Sequence, residues 1–339
     1  MKRIFNVALS ILMLFTAIFV VSCKDDPAEN GTVSVRYFEK ATDMIPLLKQ
    51  GQLSVGLLPE PAATQLTKVA SDKTWFRMDV QELYDGEEKA YPQAVMLVKQ
   101  SFLNTFPTAV SVMENAFSAN AQWVKGNTAD AVGAVNSRLA NGLTPSLNAQ
   151  NITTEVVDNC KIYWQGASQA KTAVKNYIDA IMTIEEASAK AVSDDLFYNG
   201  QASGNFTSDT VKVIVPDGAP ALAIAKFILD EEDFGTGKTF SYSVVSSGNI
   251  GAAVQQGLGD IVIIPVNAAS KLYKVNSADT YKLVSVVTHG NLYIMSTEEF
   301  TSVTDLKDKV IGVIGQGLVP DLTFKAVLSK NKMVTQVAI

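Results

Sequence analysis

The chain has 339 residues, 47% of them hydrophobic and 18% charged, with a net charge of −6 and a pI of about 5.0. That length and apolar content can bury a large core and suggest two domains or lobes, while the lack of a basic excess excludes a nucleic-acid surface. With two cysteines, Cys23 and Cys160, and one histidine, His289, there is no cluster for zinc, and neither metal nor cofactor is expected.

Lys2 and Arg3 precede an almost unbroken apolar run over 4–21, which ends in Val20-Val21-Ser22-Cys23 and then turns polar at once. Residues 1–22 read as a secretory signal cleaved before Cys23. An uncleaved anchor is the alternative, because the run is near the length of a short membrane span. The ending resembles the lipobox of bacterial lipoproteins. That implies a diacylated Cys23, residues 23–31 as a flexible tether, and a chain exported and lipid-anchored to the outer face of the cell membrane, periplasmic or cell-surface. With Cys23 lipidated, Cys160 has no disulfide partner and is expected as a small buried apolar residue in a helix.

After the tether, 33–37 read as a strand and 42–50 as a helix stopped by Gly51. A buried strand over 53–58 runs into Pro59-Glu60-Pro61 and a helix over 62–70. A short helix or turn over 79–84 follows, and Tyr91-Pro92-Gln93 lead into a strand over 94–98. The spacing then predicts helices over 107–124, 127–139, 151–163 and 168–182, the last with Val174, Tyr177, Ile178 and Ile181 on one face. Methionine and tryptophan in these helices read as core. Residues 201–209 (QASGNFTSD) are polar and read as a linker.

The β-branched run over 211–215 reads as a buried strand, broken by Pro216 and Gly218. An Ala-rich helix extends from there to 228; Asp217 or Gly218 can cap it, and Pro220 fits its first turn. Further strands are predicted over 239–245, 260–264, 282–287, 291–296 and 310–314. Ser246-Ser247-Gly248-Asn249, Pro265-Val266-Asn267 and Gly315-Gln316-Gly317 end three of them, each at a helix start; the last helix covers 319–330. A strand ending in a small or polar loop on a helix N-terminus thus recurs five times without a tandem repeat. In an open α/β sheet ligands sit at such places.

Six segments, PDGAPALAIAKF, GDIVIIPVNAASKLY, VVTHGNLYIMS, IGVIGQGLVPDLTF, IPLLKQGQLSVGLLPEPAAT and AYPQAVMLVKQSF, resemble the periplasmic substrate-binding lipoproteins of ABC importers, nearest to the nitrate, sulfonate, taurine and thiamine-precursor type. The resemblance covers 33–339, but the halves are exchanged: in that family the part matching 211–339 comes first. The chain resembles a circular permutation with 201–209 joining the ancestral ends, and an artefact of sequence assembly would give the same order. A permutation predicts that Val33 and Ile339 lie close together.

The resemblance implies an α/β fold, a two-lobed periplasmic-binding-protein type II clamshell in which each lobe is a mixed, mostly parallel sheet flanked by helices. Residues 32–95 with 298–339 would form one lobe and 96–297 the other, with hinge strands near 292–296 and 92–98. The loops then facing the cleft carry Asp217, Gly218, Ala219 and Pro220; Ser246, Ser247, Gly248 and Asn249; and Pro265 and Asn267. From the other lobe come Gly315, Gln316, Gly317, Leu318, Val319 and Glu60, with Tyr91, His289 and Asn291 near the hinge.

Each helix end contributes about 0.3–2 kcal/mol to an anion, whereas micromolar binding needs about 8 kcal/mol, so side chains must supply the remainder. None of the arginines of the mature chain, Arg36, Arg77 and Arg138, sits in these loops, so no bidentate anion clamp is visible. Asp217 and Glu60, where they face the ligand, favour an amine or a heterocyclic donor; otherwise they serve their helix starts. Gly315-Gln316-Gly317 lacks the third glycine and the lysine of a phosphate loop.

The expected function is capture of a small organic solute, with a zwitterion or a pyrimidine-like heterocycle among the options, and its delivery to ABC permease subunits by a monomer held at the membrane through Cys23. Two alternatives stand: a ligand-sensing surface lipoprotein, and an enzyme of the thiamine-pyrimidine or menaquinone type on the same fold. Against the enzyme stand the export signal, the single histidine and the lack of a nucleophile–base pair.

Overall fold

Short β-branched runs that bury both faces become central strands. Val55–Pro59 and Ile261–Pro265 are buried along nearly their whole length. The computed structural model describes residues 30–85, 90–275 and 279–338, so the signal segment, Cys23 and Ile339 lie outside the described residues. The strands are β1 (Gly31–Phe38), β2 (Val55–Pro59), β3 (Phe76–Asp79), β4 (Pro92–Lys99), β5 (Ile162–Gly166) and β6 (Thr210–Pro216), then β7 (Thr239–Val245), β8 (Ile261–Pro265), β9 (Tyr281–His289), β10 (Leu292–Ser296), β11 (Val310–Ile314) and β12 (Met333–Val337).

They form two six-stranded sheets with helices between the strands: β12-β1-β11-β2-β10-β3 and β5-β9-β4-β8-β6-β7. The first is parallel except where β10 enters between β2 and β3. The second departs from the mostly parallel expectation. Only the β6–β7 and β6–β8 pairings are parallel, because β4, β9 and β5 join it antiparallel.

The chain passes between the sheets twice, once between β3 and β4 and once between β9 and β10. These crossings correct the lobe limits read from sequence. The limit at 95/96 cuts β4, which pairs wholly with β8 and β9, and β10 belongs with β2 and β3 rather than with 96–289. The two ends of the described chain meet. β1 and β12 run parallel with Gly31 opposite Met333, and the Ala338 N–H donates to the Val35 carbonyl at 2.8 Å.

Helix Ala41–Gln50 stops where Gly51 turns left-handed at φ 72°. It lies so close to the first sheet that a Cβ on Gly56 or on its register partner Gly312 would come within 2.8 Å of the Met44 sulfur. Two expected helices are shorter than read. The segment over 151–163 is helical only for Thr154–Asn159, with Cys160 buried just after it and β5 following, and 127–139 is helical for Thr128–Asn136. The 201–209 segment is docked rather than loose: Asn104 Nδ2 donates to the Gly204 carbonyl at 2.8 Å, and Phe206 packs edge-on against Phe102.

The Ala-rich helix after β6 is broken into Ala219–Leu222 and Ala225–Asp230. The buried Asn120 side chain bridges the break. Its Nδ2 donates to the Leu222 and Ala223 carbonyls at 3.2 and 2.8 Å, and its Oδ1 accepts the Lys226 N–H at 2.8 Å. Asn120→Ala would leave these three backbone groups without partners. It is expected to lower stability by about 3 kcal/mol, read from urea unfolding.

Candidate functional site

Parallel strands present their carboxyl ends on one side, and loops leave the sheet there. In this chain the carboxyl ends of β1, β2 and β11 face those of β6 and β8. Asn267 Nδ2 donates to the Gly317 carbonyl at 3.1 Å, Lys68 Nζ to the Gln150 carbonyl at 3.0 Å, and Asn291 Nδ2 to the Glu60 carbonyl at 3.3 Å. Lys40, which precedes the first helix, lies near enough to Asp217 to bear on its charge. Four of the five predicted loops therefore lie where the two sheets approach each other. The fifth is peripheral: Ser246 follows the edge strand β7, and Ser247, Gly248 and Asn249 are exposed, as is Gln316 at the other rim.

Asp217 does not cap the helix after it. Gly218, at φ 107°, holds the cap position, Pro220 sits in the first turn and Ala219 is buried. The Asp217 carboxylate turns instead to a loop absent from the sequence reading, where its Oδ2 accepts the Ser146 N–H at 2.8 Å. Burial raises the Asp217 pKa; Ser146, the Gly218 N–H and Lys40 hold the rise back. Asp217 Oδ1 and Ser146 Oγ are both buried, and neither makes an aligned hydrogen bond.

The helix starts differ from expectation. The helices after β6, β7 and β8 have only four, six and seven residues, too short for a strong terminal field. The two longer ones, Ala62–Val69 and Val319–Lys330, are already served by the protein's own carboxylates. Glu60, 1% exposed, accepts the Thr64 N–H at 3.1 Å and the Thr64 hydroxyl at 2.9 Å, and pairs with Arg77. The Arg77 guanidinium lies 3.5 Å above the Tyr293 ring. Asp321, fully buried, accepts the Gly317 N–H at 2.9 Å, the Tyr37 hydroxyl at 3.0 Å and Lys325 Nζ at 2.9 Å. Burial disfavours the Lys325 charge, but Asp321 and Glu185 more than offset it, and its pKa is raised. Of the two roles open to Glu60, the structure thus shows it serving its own helix, and the loop from Gly315 through Leu318 to Val319 folds onto Asp321.

Three hinge candidates also turn out to be structural. Tyr91, 2% exposed, stacks on Tyr177 at 5.6 Å and meets Tyr84 edge-on at 5.3 Å. Asn291 is fully enclosed and joins Glu60 to Gln93, whose Nε2 donates to its Oδ1 at 2.9 Å. His289 is buried, which lowers its pKa to about 3, and its ring stacks on Tyr163 at 3.5 Å. A neutral imidazole donates only once. The Lys161 carbonyl lies 3.4 Å from Nδ1 and Gln165 Oε1 3.3 Å from Nε2; both oxygens only accept, so the neutral ring donates to one of them.

Sequence reading missed Lys40, Arg77, Gln93, Ser146 and Asp321. Asp321 carried a signal, an acid in the first turn of a predicted helix. The others reach the gap only through the tertiary fold. A surface cavity of about 350 Å³, lined by Gln100, Asp195, Phe197, Gln201 and Lys282, lies apart from the gap. Among the described residues no group of three or more His, Cys, Asp or Glu could hold a metal ion, and no helix is long and apolar enough to cross a membrane.

The fold is that of an α/β protein with two mixed six-stranded sheets, joined by two crossings of the chain. No family model matches the chain, and no curated protein matches it. Among solved structures it is similar to NikA from Brucella suis, crystallised in complex with Fe(III)-EDTA, at 10% sequence identity and a TM-score of 0.29, over 79% of this chain and 58% of NikA. The chain thus spans less than two thirds of NikA's length.

Asp217 carries a pH prediction. Its folded pKa lies above its unfolded value, so the folded state binds more protons between the two and loses stability as pH rises through that window. Asp217→Asn is therefore expected to raise the melting temperature at pH 7. The gain should vanish below the ordinary aspartate pKa of about 3.9, as a pH series of thermal melts would read.

Proposed function

We propose that the protein is an extracytoplasmic solute-binding lipoprotein that captures a small organic solute between its two sheets and hands it to an ABC importer. The observation that carries this reading is topological. Two stretches of chain join the two sheets among the described residues, and the loop after β8 meets the loop after β11 where Asn267 Nδ2 donates to the Gly317 carbonyl. That arrangement suits hinge closure on a ligand. The six family-like segments support the same reading, since they include the loops at Asp217, Asn267, Gly317 and Glu60 and the crossing at Asn291.

The site is proposed to bind without chemistry. His289 is enclosed and neutral, and the buried Cys160 thiol has its pKa raised by burial, with the Glu60 charge adding to the rise. Neither is poised as a base or a nucleophile. Attachment to the membrane through Cys23 and action as a monomer complete the proposal.

A thermal-shift screen of small sulfonates, amino acids and pyrimidines on the purified full chain tests it. A solute held at one hundred times its Kd is expected to stabilise by about 2.7 kcal/mol and to be recovered unchanged. A solute recovered as product would replace the reading with an enzyme, and no shift from any solute would count against binding.

A further inference from the structure

Several donors at these loops are already engaged. Glu60 and Asp321 hold the Thr64 and Gly317 N–H groups. The N–H of Asp217 goes to the Val245 carbonyl and that of Glu60 to the Asn291 carbonyl, both at 2.9 Å. The buried side-chain oxygens without an aligned partner include pure acceptors, Asp217 Oδ1, Asn267 Oδ1, Gln93 Oε1 and Asn136 Oδ1, and hydroxyls that can also donate, Ser146 Oγ, Tyr91 Oη and Thr288 Oγ1. The one unpartnered nitrogen among the buried side chains described, Arg138 Nε, belongs to a side chain paired with Glu231 on the outer side of β7.

Asp217 and Ser146 are the closest set of these atoms, because the Ser146 N–H already holds one carboxylate oxygen. A buried carboxylate oxygen without a donor is costly, and a charged donor is its strongest partner. Lys40, on the opposite sheet, supplies positive charge to the same carboxylate from an exposed position.

Resting on the solute-binding reading, we infer that the ligand carries a protonated amine, which donates to Asp217 Oδ1 and Ser146 Oγ and takes over the role of Lys40. Ser146 thereby becomes a specificity residue contributed by a loop between helices rather than by a strand end.

The test uses matched probes on the purified full chain by isothermal titration: benzylamine against benzyl alcohol, 3-aminopropanol against 1,3-propanediol, and methanesulfonate. Each amine is expected to bind at least tenfold tighter than its hydroxyl counterpart. Asp217→Asn, which the pH argument above expects to fold more stably, should abolish that preference. Ser146→Ala should weaken amine binding severalfold while keeping it. Methanesulfonate bound more tightly than the amines would overturn the amine assignment and leave solute binding intact. Amine and alcohol bound equally, with Asp217→Asn without effect, would mean that the two oxygens hold only water, and would overturn it too. Binding of no probe would count against both the assignment and the solute-binding reading.

Discussion

Two buried carboxylates, Glu60 and Asp321, set the character of the gap. An unpaired carboxylate in an apolar interior costs several kcal/mol, so each must be surrounded by donors and a cation. Each is: a backbone N–H at a helix start, a hydroxyl from Thr64 or Tyr37, and a cation from Arg77 or Lys325. The consequence reaches past local stability. Helix ends that would otherwise attract a ligand's negative charge carry an internal one. The chemistry left to a ligand is then set by the opposite wall, where Asp217 lies.

The gap is bounded on its hinge side by apolar packing rather than by a flexible joint. One cluster of buried side chains runs from Val35 and Leu57 of the first sheet, through Val174 and Ile178 of helix Ala167–Ile184, to Val262 and Leu283 of the second. The Tyr177 hydroxyl meets that of Thr323 at 2.8 Å inside this cluster. A motion that opens the loops at Asp217 and Gly317 must therefore pivot about this packed side and break the Asn267–Gly317 hydrogen bond. The Gln93–Asn291–Glu60 relay ties β4 of the second sheet to the end of β2 in the first.

Much of the fold was legible because its central strands bury both faces. The runs 211–215 (VKVIV), 260–264 (DIVII) and 310–314 (VIGVI) each carry four valines or isoleucines in five residues. The strands that escaped reading, β3, β5 and β12, are all at sheet edges. Their sequences FRMD, IYWQG and MVTQV are half exposed and show no continuous apolar run. At the site, sequence gave loop positions better than side-chain partners. Proline and glycine mark where a strand stops, but nothing local tells Glu60 that Arg77 lies across a strand, or Asp217 that Ser146 is its donor. His289 drew attention by being alone, yet stacking and burial account for it.

The two ends of the described chain meet in the first sheet. Helix Val319–Lys330 follows β11 and packs on that sheet, and the strand beside β11 is β1, at the other end of the chain. The Asn30 N–H donates to the Lys332 carbonyl at 3.0 Å, so the start of β1 touches the turn that leaves the helix. A strand continuing directly from that turn into the β1 position would close an ordinary right-handed crossover next to β11. β1 fills that place, and β12 lies one strand outward at the open edge, where Val337 is 64% exposed although it aligns with the buried Val35. Two parallel strands thus suit the position that follows one helix. The sheet accepts both because parallel pairing depends on backbone direction and a β-branched face more than on which segment of the chain supplies them.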